Sequence, residues 1–149
     1  MESLINKNRI LLDIEACDWR EAIRLAGDLL VRDGCISDLY TESMMRAVEE
    51  LGPYMVILPG FALAHAAPSP AVYSDAMSLV TLHTPVSFGS SENDPVRVVL
   101  CLSCVDRESH IAALQRVAIA LMEDGAVDRL ANAASAEEVL ELLAQEPAN

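Results

Sequence analysis

The sequence predicts a single α/β (α+β) domain, a mixed β-sheet flanked by helices on its faces. Three observations carry this. The runs 76–82 and 96–105 are apolar and rich in strand formers. Amphipathic helical periods with cap signatures are interleaved with them. A chain of 149 residues is long enough for one sizeable core, and it shows no repeat, low-complexity stretch or linker.

Ile10 to Ile14 is a short apolar strand. Asp18 to Glu21 has the form of a capping box, an acceptor followed three residues later by an acid. The helix it opens sets Ala22, Ile23, Leu25, Ala26, Leu29 and Leu30 on one face and ends at Asp33-Gly34. Ser37 or Asp38 caps a second helix, through Tyr40, Met44, Met45 and Val48 to Gly52-Pro53, with the methionines as core. Tyr54 to Leu58 reads as a strand and Pro59-Gly60 as a turn. Ala62 to Ala66 is a second extended piece, an exposed ribbon carrying His65.

A loop from Pro68 to Pro70 leads to the strand Ala76–Leu82. Residues 85–95 form a polar connection, expected at the surface and mobile, and His83 beside it reads as a surface residue without a role. Val96 to Val105 is the most apolar strand and is expected at the centre of the sheet. Asp106 and Ser109 offer caps for a helix with Ile111, Leu114, Val117, Ala118 and Leu121 at helical spacing. Asp124-Gly125 breaks it, and a short helix through Val127 and Leu130 follows. A second capping box, Ser135 to Glu138, opens a last helix through Val139, Leu142 and Leu143.

The formal net charge is −13, from 23 acids against 10 bases, which excludes a nucleic-acid-binding face and favours a partner with a basic patch. No apolar run approaches the roughly 20 residues that span a bilayer. No apolar segment follows the basic residues of the N-terminus, so no signal peptide is expected and the expected location is cytoplasmic. Of four cysteines only Cys101 and Cys104 are close, and on a strand they point to opposite faces. That spacing reads as two buried core thiols rather than a redox or zinc pair.

Two histidines hold the chemistry. His65 lies in an apolar run of small residues bounded by Pro59-Gly60 and Pro68. Small neighbours leave its imidazole open to a large partner, although periodicity alone would equally allow a buried strand histidine. His110 lies at the start of the helix after the central strand, where free N–H groups and the helix dipole favour anions. It could equally be an ordinary helix-start residue, with Asp106 and Glu108 as cap and solvent residues. Spacing does not say whether the two histidines meet.

Four segments in order carry a family resemblance. They are Gly-Phe-Ala-Leu-Ala-His65-Ala, Ser78 to Gly89 (Ser-Leu-Val-Thr-Leu-His-Thr-Pro-Val-Ser-Phe-Gly), Asp94-Pro-Val96, and Asp106-Arg-Glu-Ser-His-Ile-Ala-Ala-Leu114. Over residues 4–145 the chain resembles the type-2 EIIA domain of the bacterial sugar phosphotransferase system, the mannitol/fructose superfamily. Gly52 to His65 looks most like its ascorbate-type branch. The resemblance implies the mannitol-type EIIA fold and a cytoplasmic phosphotransferase component with a phosphohistidine intermediate. His65 would take a phosphoryl group from phospho-HPr on Nε2 and pass it to an EIIB component. His110 would contact that group, and the rim Phe61, Ala62, Leu63, Ala64, Ala66 and Ala67 would dock both partners. A membrane EIIC would be reached only indirectly, no cofactor or metal is implied, and a homodimer is left open. Glu49 stands where mannitol-type members carry an arginine, Ala64 where many members have proline, and Ala67 where the ascorbate-like branch often has arginine. The alternative is a nitrogen-type regulatory module that binds partners according to its phosphorylation state without feeding sugar transport.

Overall fold

The computed structural model describes residues 4–144, so the expected boundary at 145 lies outside the described residues. A five-stranded sheet is built from β1 (Ile10–Ile14), β2 (Val56–Leu58), β3 (Phe61–Ala64), β4 (Ala76–Val86) and β5 (Val96–Ser103). Its spatial order is β1-β4-β5-β3-β2, so β5 is central, as its apolar composition predicts. The sheet is mixed: β1 runs parallel to β4 and β3 parallel to β5, while β4–β5 and β2–β3 are antiparallel.

Helices α1 (Trp19–Arg32) and α2 (Asp38–Leu51) cover one face. Helices α3 (Arg107–Leu121), α4 (Ala126–Ala131) and α5 (Ala136–Leu143) cover the other. Alternation along β3 feeds both layers: Ala62 and Ala64 join the core under α1 and α2, and Phe61 and Leu63 the core under α3 to α5. Cys101 and Cys104 divide the same way, one thiol in each core. Burial pushes both thiols up to about 12, so neither is a thiolate near neutral pH.

The caps form where the sequence places them. Asp18 accepts from the Glu21 N–H at 2.9 Å, Asp106 from the Ser109 N–H at 2.8 Å, and Ser135 from the Glu138 N–H at 3.2 Å. Of the two candidates for α2, Ser37 is the cap. In both capping boxes the acid reaches back one residue beyond the cap, Glu21 to the Cys17 N–H and Glu138 to the Ala134 N–H.

Several boundaries differ from expectation. Residues 54–55 belong to a turn, so β2 starts at Val56. β3 ends at Ala64, which leaves His65 just beyond the strand rather than within it. Nor is β3 an exposed ribbon: it is sandwiched between β5 and β2 and all four of its residues are buried. β4 continues to Val86, resuming its pairing opposite Val96 after an irregularity that absorbs Pro85, which has no N–H to give the ladder. β5 stops at Ser103, two residues short of Val105.

Connection 85–95 lies mostly at the surface but is tied down. The Asp94 carboxylate accepts from the N–H groups of Phe88 and Gly89, and the Asn93 side chain donates to the Val56 carbonyl at 3.0 Å. His83 is exposed as expected and pairs with Asp13 at 2.9 Å, which holds its imidazole above the ordinary value.

Candidate functional site

Parallel β3 and β5 end at the same edge of the sheet, with Ala64 opposite Cys101. The chain leaves β3 through His65 and leaves β5 through Cys104 and Val105 into α3. This is the carboxyl end of adjacent parallel strands, where α/β proteins place ligands. His65 follows Phe61 and Leu63 in alternation, toward the face that α3 covers. His110 lies in the first turn of α3, its N–H bonded to the Asp106 carbonyl. The two imidazoles therefore meet, with ring centroids 5.5 Å apart and planes tilted by 40°.

The His65 ring is fixed by its own backbone. Its Nδ1 lies 2.6 Å from the Leu63 carbonyl oxygen. A carbonyl only accepts, so that contact requires the proton on Nδ1 and leaves a lone pair on Nε2. Burial holds the His65 pKa below the ordinary imidazole value; a charge on His110 would lower it further, and the Leu63 carbonyl opposes both. The resident form near neutral pH is the uncharged ring with Nε2 free, which is the nucleophilic form.

His110 makes no side-chain hydrogen bond among the described residues, and its Nδ1 is buried without a partner. A buried imidazole nitrogen left unpaired is uncommon in a folded chain. Asp106 serves as the α3 cap, its Oδ1 accepting from both the hydroxyl and the backbone N–H of Ser109, which hold its carboxyl below the usual range. It holds the helix start rather than His110.

The apolar rim expected around His65 is not a surface. Phe61, Ala62, Leu63 and Ala64 are all buried, because β3 is an interior strand; Ala66 is half-buried and only Ala67 is exposed. The exposed apolar side chains sit on neighbouring segments instead. Val105 leads into α3, Ile111 follows His110, and Leu39 precedes Tyr40, which bonds Ala66.

Sequence reasoning missed two residues here. Tyr54, 37% exposed, donates its hydroxyl to the His65 carbonyl at 2.7 Å and sets its ring edge-on to the imidazole at 5.3 Å. Tyr40, buried in α2, accepts from the Ala66 N–H at 3.0 Å and donates to the Leu102 carbonyl at 2.7 Å. The only available signal was that Tyr54 follows the turn former Gly52-Pro53; nothing local connects either tyrosine with His65.

Glu49 is bound elsewhere. Its carboxylate pairs with Arg20 at 2.7 Å across α1 and α2, and Arg20 lies over the Trp19 ring. Both residues line an open cavity of about 650 Å³ whose walls include neither histidine. Three arginines and four acids line it, so their formal charges nearly cancel. Among the described residues no cluster of His, Cys, Asp and Glu could hold a metal, and no helix is long and apolar enough to cross a membrane.

The comparisons agree with this architecture. The family "Phosphoenolpyruvate-dependent sugar phosphotransferase system, EIIA 2" matches residues 3–146. The chain belongs to that family. The ascorbate-specific EIIA component of Salmonella choleraesuis strain SC-B67 is 38% identical over 143 residues, 95% of this chain and 93% of that one. The solution structure of the mannitol-specific cryptic phosphotransferase enzyme IIA CmtB from Escherichia coli superposes with a TM-score of 0.86 at 28% identity, covering 97% of this chain and 98% of that one. A third relative is the Escherichia coli mannitol enzyme IIA solved in complex with phosphorylated enzyme IIB. It has a TM-score of 0.83 at 29% identity over 94% of this chain and 96% of that chain. The fold is thus that of the mannitol-type EIIA proteins.

Proposed function

We propose that this EIIA chain is a phosphocarrier in which His65 accepts a phosphoryl group from phospho-HPr and delivers it to an EIIB component. The observation that carries the reading is the locked imidazole: Nδ1 bound to the Leu63 carbonyl, Nε2 free, and His110 beside it. In the forward step the Nε2 lone pair forms a bond to phosphorus while the bond from phosphorus to the donor's imidazole nitrogen breaks. No proton leaves Nε2, because none is there, and the proton on Nδ1 stays with Leu63. Delivery to EIIB reverses these changes at His65.

The transferred group passes through a loose, nearly in-line transition state, so the protein's task is to position and to neutralise. His110 has the unspent hydrogen-bonding capacity to hold a phosphoryl oxygen, and the N-terminus of α3 adds favourable dipole. Exposed Val105, Ile111 and Leu39 offer apolar contact to successive partners, and the net charge of −13 would attract a basic one. The ascorbate-specific relative favours ascorbate or a related acidic sugar as the cargo of the pathway.

The test is the intact mass after incubation with phosphoenolpyruvate, enzyme I and HPr. Wild type should gain one acid-labile phosphoryl group, His65→Ala none, and His110→Ala should label more slowly. Equal labelling of wild type and His65→Ala would overturn the assignment. Labelling that no EIIB can discharge would point to the regulatory, nitrogen-type reading.

A further inference from the structure

We propose that Tyr54 and Tyr40 act as a two-sided clamp on the phosphoryl-accepting histidine, with Tyr54 a positioning residue for the transfer step. The inference rests on the phosphocarrier reading for its kinetic consequence, though not for its structural one. The His65–Ala66 peptide unit has one carbonyl and one N–H, and each is held by a different tyrosine hydroxyl. Tyr54 donates to the His65 carbonyl at 2.7 Å, and Tyr40 accepts from the Ala66 N–H at 3.0 Å. Tyr40 is in turn anchored on the Leu102 carbonyl of β5 at 2.7 Å, so the clamp ties His65 to the central strand.

Geometry explains why this peptide needs holding. β3 ends at Ala64, so beyond it no strand neighbour fixes the backbone of His65 and Ala66. Yet the imidazole must keep Nδ1 on the Leu63 carbonyl, two residues back along the same chain. The carbonyl and Cβ of His65 share one Cα, so a rotation in φ that carries the carbonyl away from Tyr54 also swings the Cα–Cβ bond and lengthens the contact with Leu63. Without it Nε2 is no longer reserved as the lone-pair nitrogen. The Tyr54 ring supplies a second restraint, standing edge-on at 5.3 Å beside an imidazole whose other neighbour is His110 at 5.5 Å. Hydroxyl and ring thus act on separate degrees of freedom, the peptide plane and the imidazole plane.

The experiment compares wild type, Tyr54→Phe and Tyr54→Leu in two measurements. In the first, ¹⁵N NMR of the unphosphorylated His65 imidazole reports the tautomer and needs no donor protein. Wild type should hold the proton on Nδ1. Tyr54→Phe should show a several-fold larger share of the Nε2–H tautomer, and Tyr54→Leu a larger share still. In the second, rapid-quench transfer from phospho-HPr should show kcat falling about 10- to 100-fold in Tyr54→Phe with KM unchanged, since a misplacement of order 1 Å costs that much. Tyr40→Phe, which leaves the Ala66 N–H unpaired, should shift the tautomer in the same direction. An unshifted tautomer in Tyr54→Phe, or a raised KM at unchanged kcat, would overturn the clamp; the latter would make Tyr54 a docking residue. If wild type accepts no phosphate, the phosphocarrier reading fails by itself and the tautomer measurement still decides the clamp.

Discussion

The face of the sheet under α1 and α2 and the face under α3, α4 and α5 bury their side chains equally well but hold them differently. Beneath α1 and α2, polar groups pin the layers together. Ser78 of β4 donates to the Ala26 carbonyl of α1 at 2.6 Å, and Tyr40 of α2 bonds both Leu102 and Ala66. The two helices also approach so closely at Gly27 that a methyl group there would lie 2.5 Å from Thr41 Oγ1. The opposite core is mainly apolar contact, among Phe61, Met77, Cys104 and aliphatic side chains, with Arg97 of β5 donating to the Ala131 carbonyl of α4 at 3.4 Å, and α3 leaves Ile111 46% exposed. The pinned face sets the backbone at His65 and the aliphatic face brings up His110. Directional bonds fix a register to tenths of an ångström, whereas apolar contact fixes only a separation. The His65–Ala66 backbone is tied to the pinned side through Tyr40, while the His65 imidazole points to the face that α3 covers.

Gly27→Ala is the most disruptive way to test this difference. Overpacking costs about 1–3 kcal/mol, against a helix-propensity gain of about 1 kcal/mol. Cost should win, because behind Thr41 Oγ1 stand its Cγ2 at 3.0 Å and its Cβ at 3.3 Å, which cannot rotate away together. Urea unfolding should show a lower midpoint at unchanged slope. Adding Thr41→Ala removes the two closest obstructing atoms, Cγ2 and a buried hydroxyl oxygen that has no partner among the described residues, and leaves only Cβ at 3.3 Å. The double variant should recover most of the loss, a non-additivity expected of side chains in contact. A Gly27→Ala midpoint at or above wild type would show that the helices are free to move apart.

A smaller effect belongs to pH. Burial lowers the His65 pKa, so the neutral, nucleophilic ring persists below the ordinary imidazole value. The rate of phosphoryl acceptance should stay level as pH falls through about 6.5 and decline only beneath it. Linkage has the same sign. In the interval between the ordinary and the lowered pKa the unfolded chain binds more protons than the folded one, so this histidine's contribution to stability is complete above the ordinary value and is lost as pH falls. His83 works oppositely, its pKa raised by Asp13, but it is exposed and distant from the transfer step. A pH–rate profile of single-turnover acceptance checks the point. A midpoint above the ordinary imidazole value would mean that the protonated ring is retained in the fold.

Much of this could be read from local pattern, and the misreadings share one cause. In α1 the period puts Ala22, Ile23, Leu25, Ala26, Leu29 and Leu30 on one face; all but the half-buried Leu25 lie in the core, and Arg20, Glu21, Arg24, Asp28 and Arg32 face solvent. The caps at Asp18, Ser135 and Asp106 are local chemistry and were equally legible. β3 was misread because a run of small residues between turn formers looks the same in an exposed ribbon and in an interior strand. Only its pairing with β5, which begins some thirty residues later in the chain, decides. The candidate site was legible as two histidines, which the fold brings together, but not as a constellation. Tyr54 acts across 11 residues and Tyr40 across 26, and no spacing rule links a hydroxyl to a peptide at such separations.

The subtlest test lies on the aliphatic face. The spacing of Ile111 with Leu114, Val117, Ala118 and Leu121 suggested an inward stripe, but Ile111 and Ala118 are exposed and the buried line of α3 is Ala113, Val117 and Ala120. Alanine is apolar enough to line a core where a helix lies close to its sheet, and that choice turns Ile111 outward, next to His110. Ile111→Ser should therefore change unfolding free energy by less than about 0.5 kcal/mol, as exposed positions do. If the exposed isoleucine serves a partner, the same variant should raise the KM for phospho-HPr while leaving kcat and the His65 tautomer unchanged, the reverse of the Tyr54→Phe pattern. A loss of stability like that of Gly27→Ala would mean that Ile111 is part of the core after all and that the two faces are held alike.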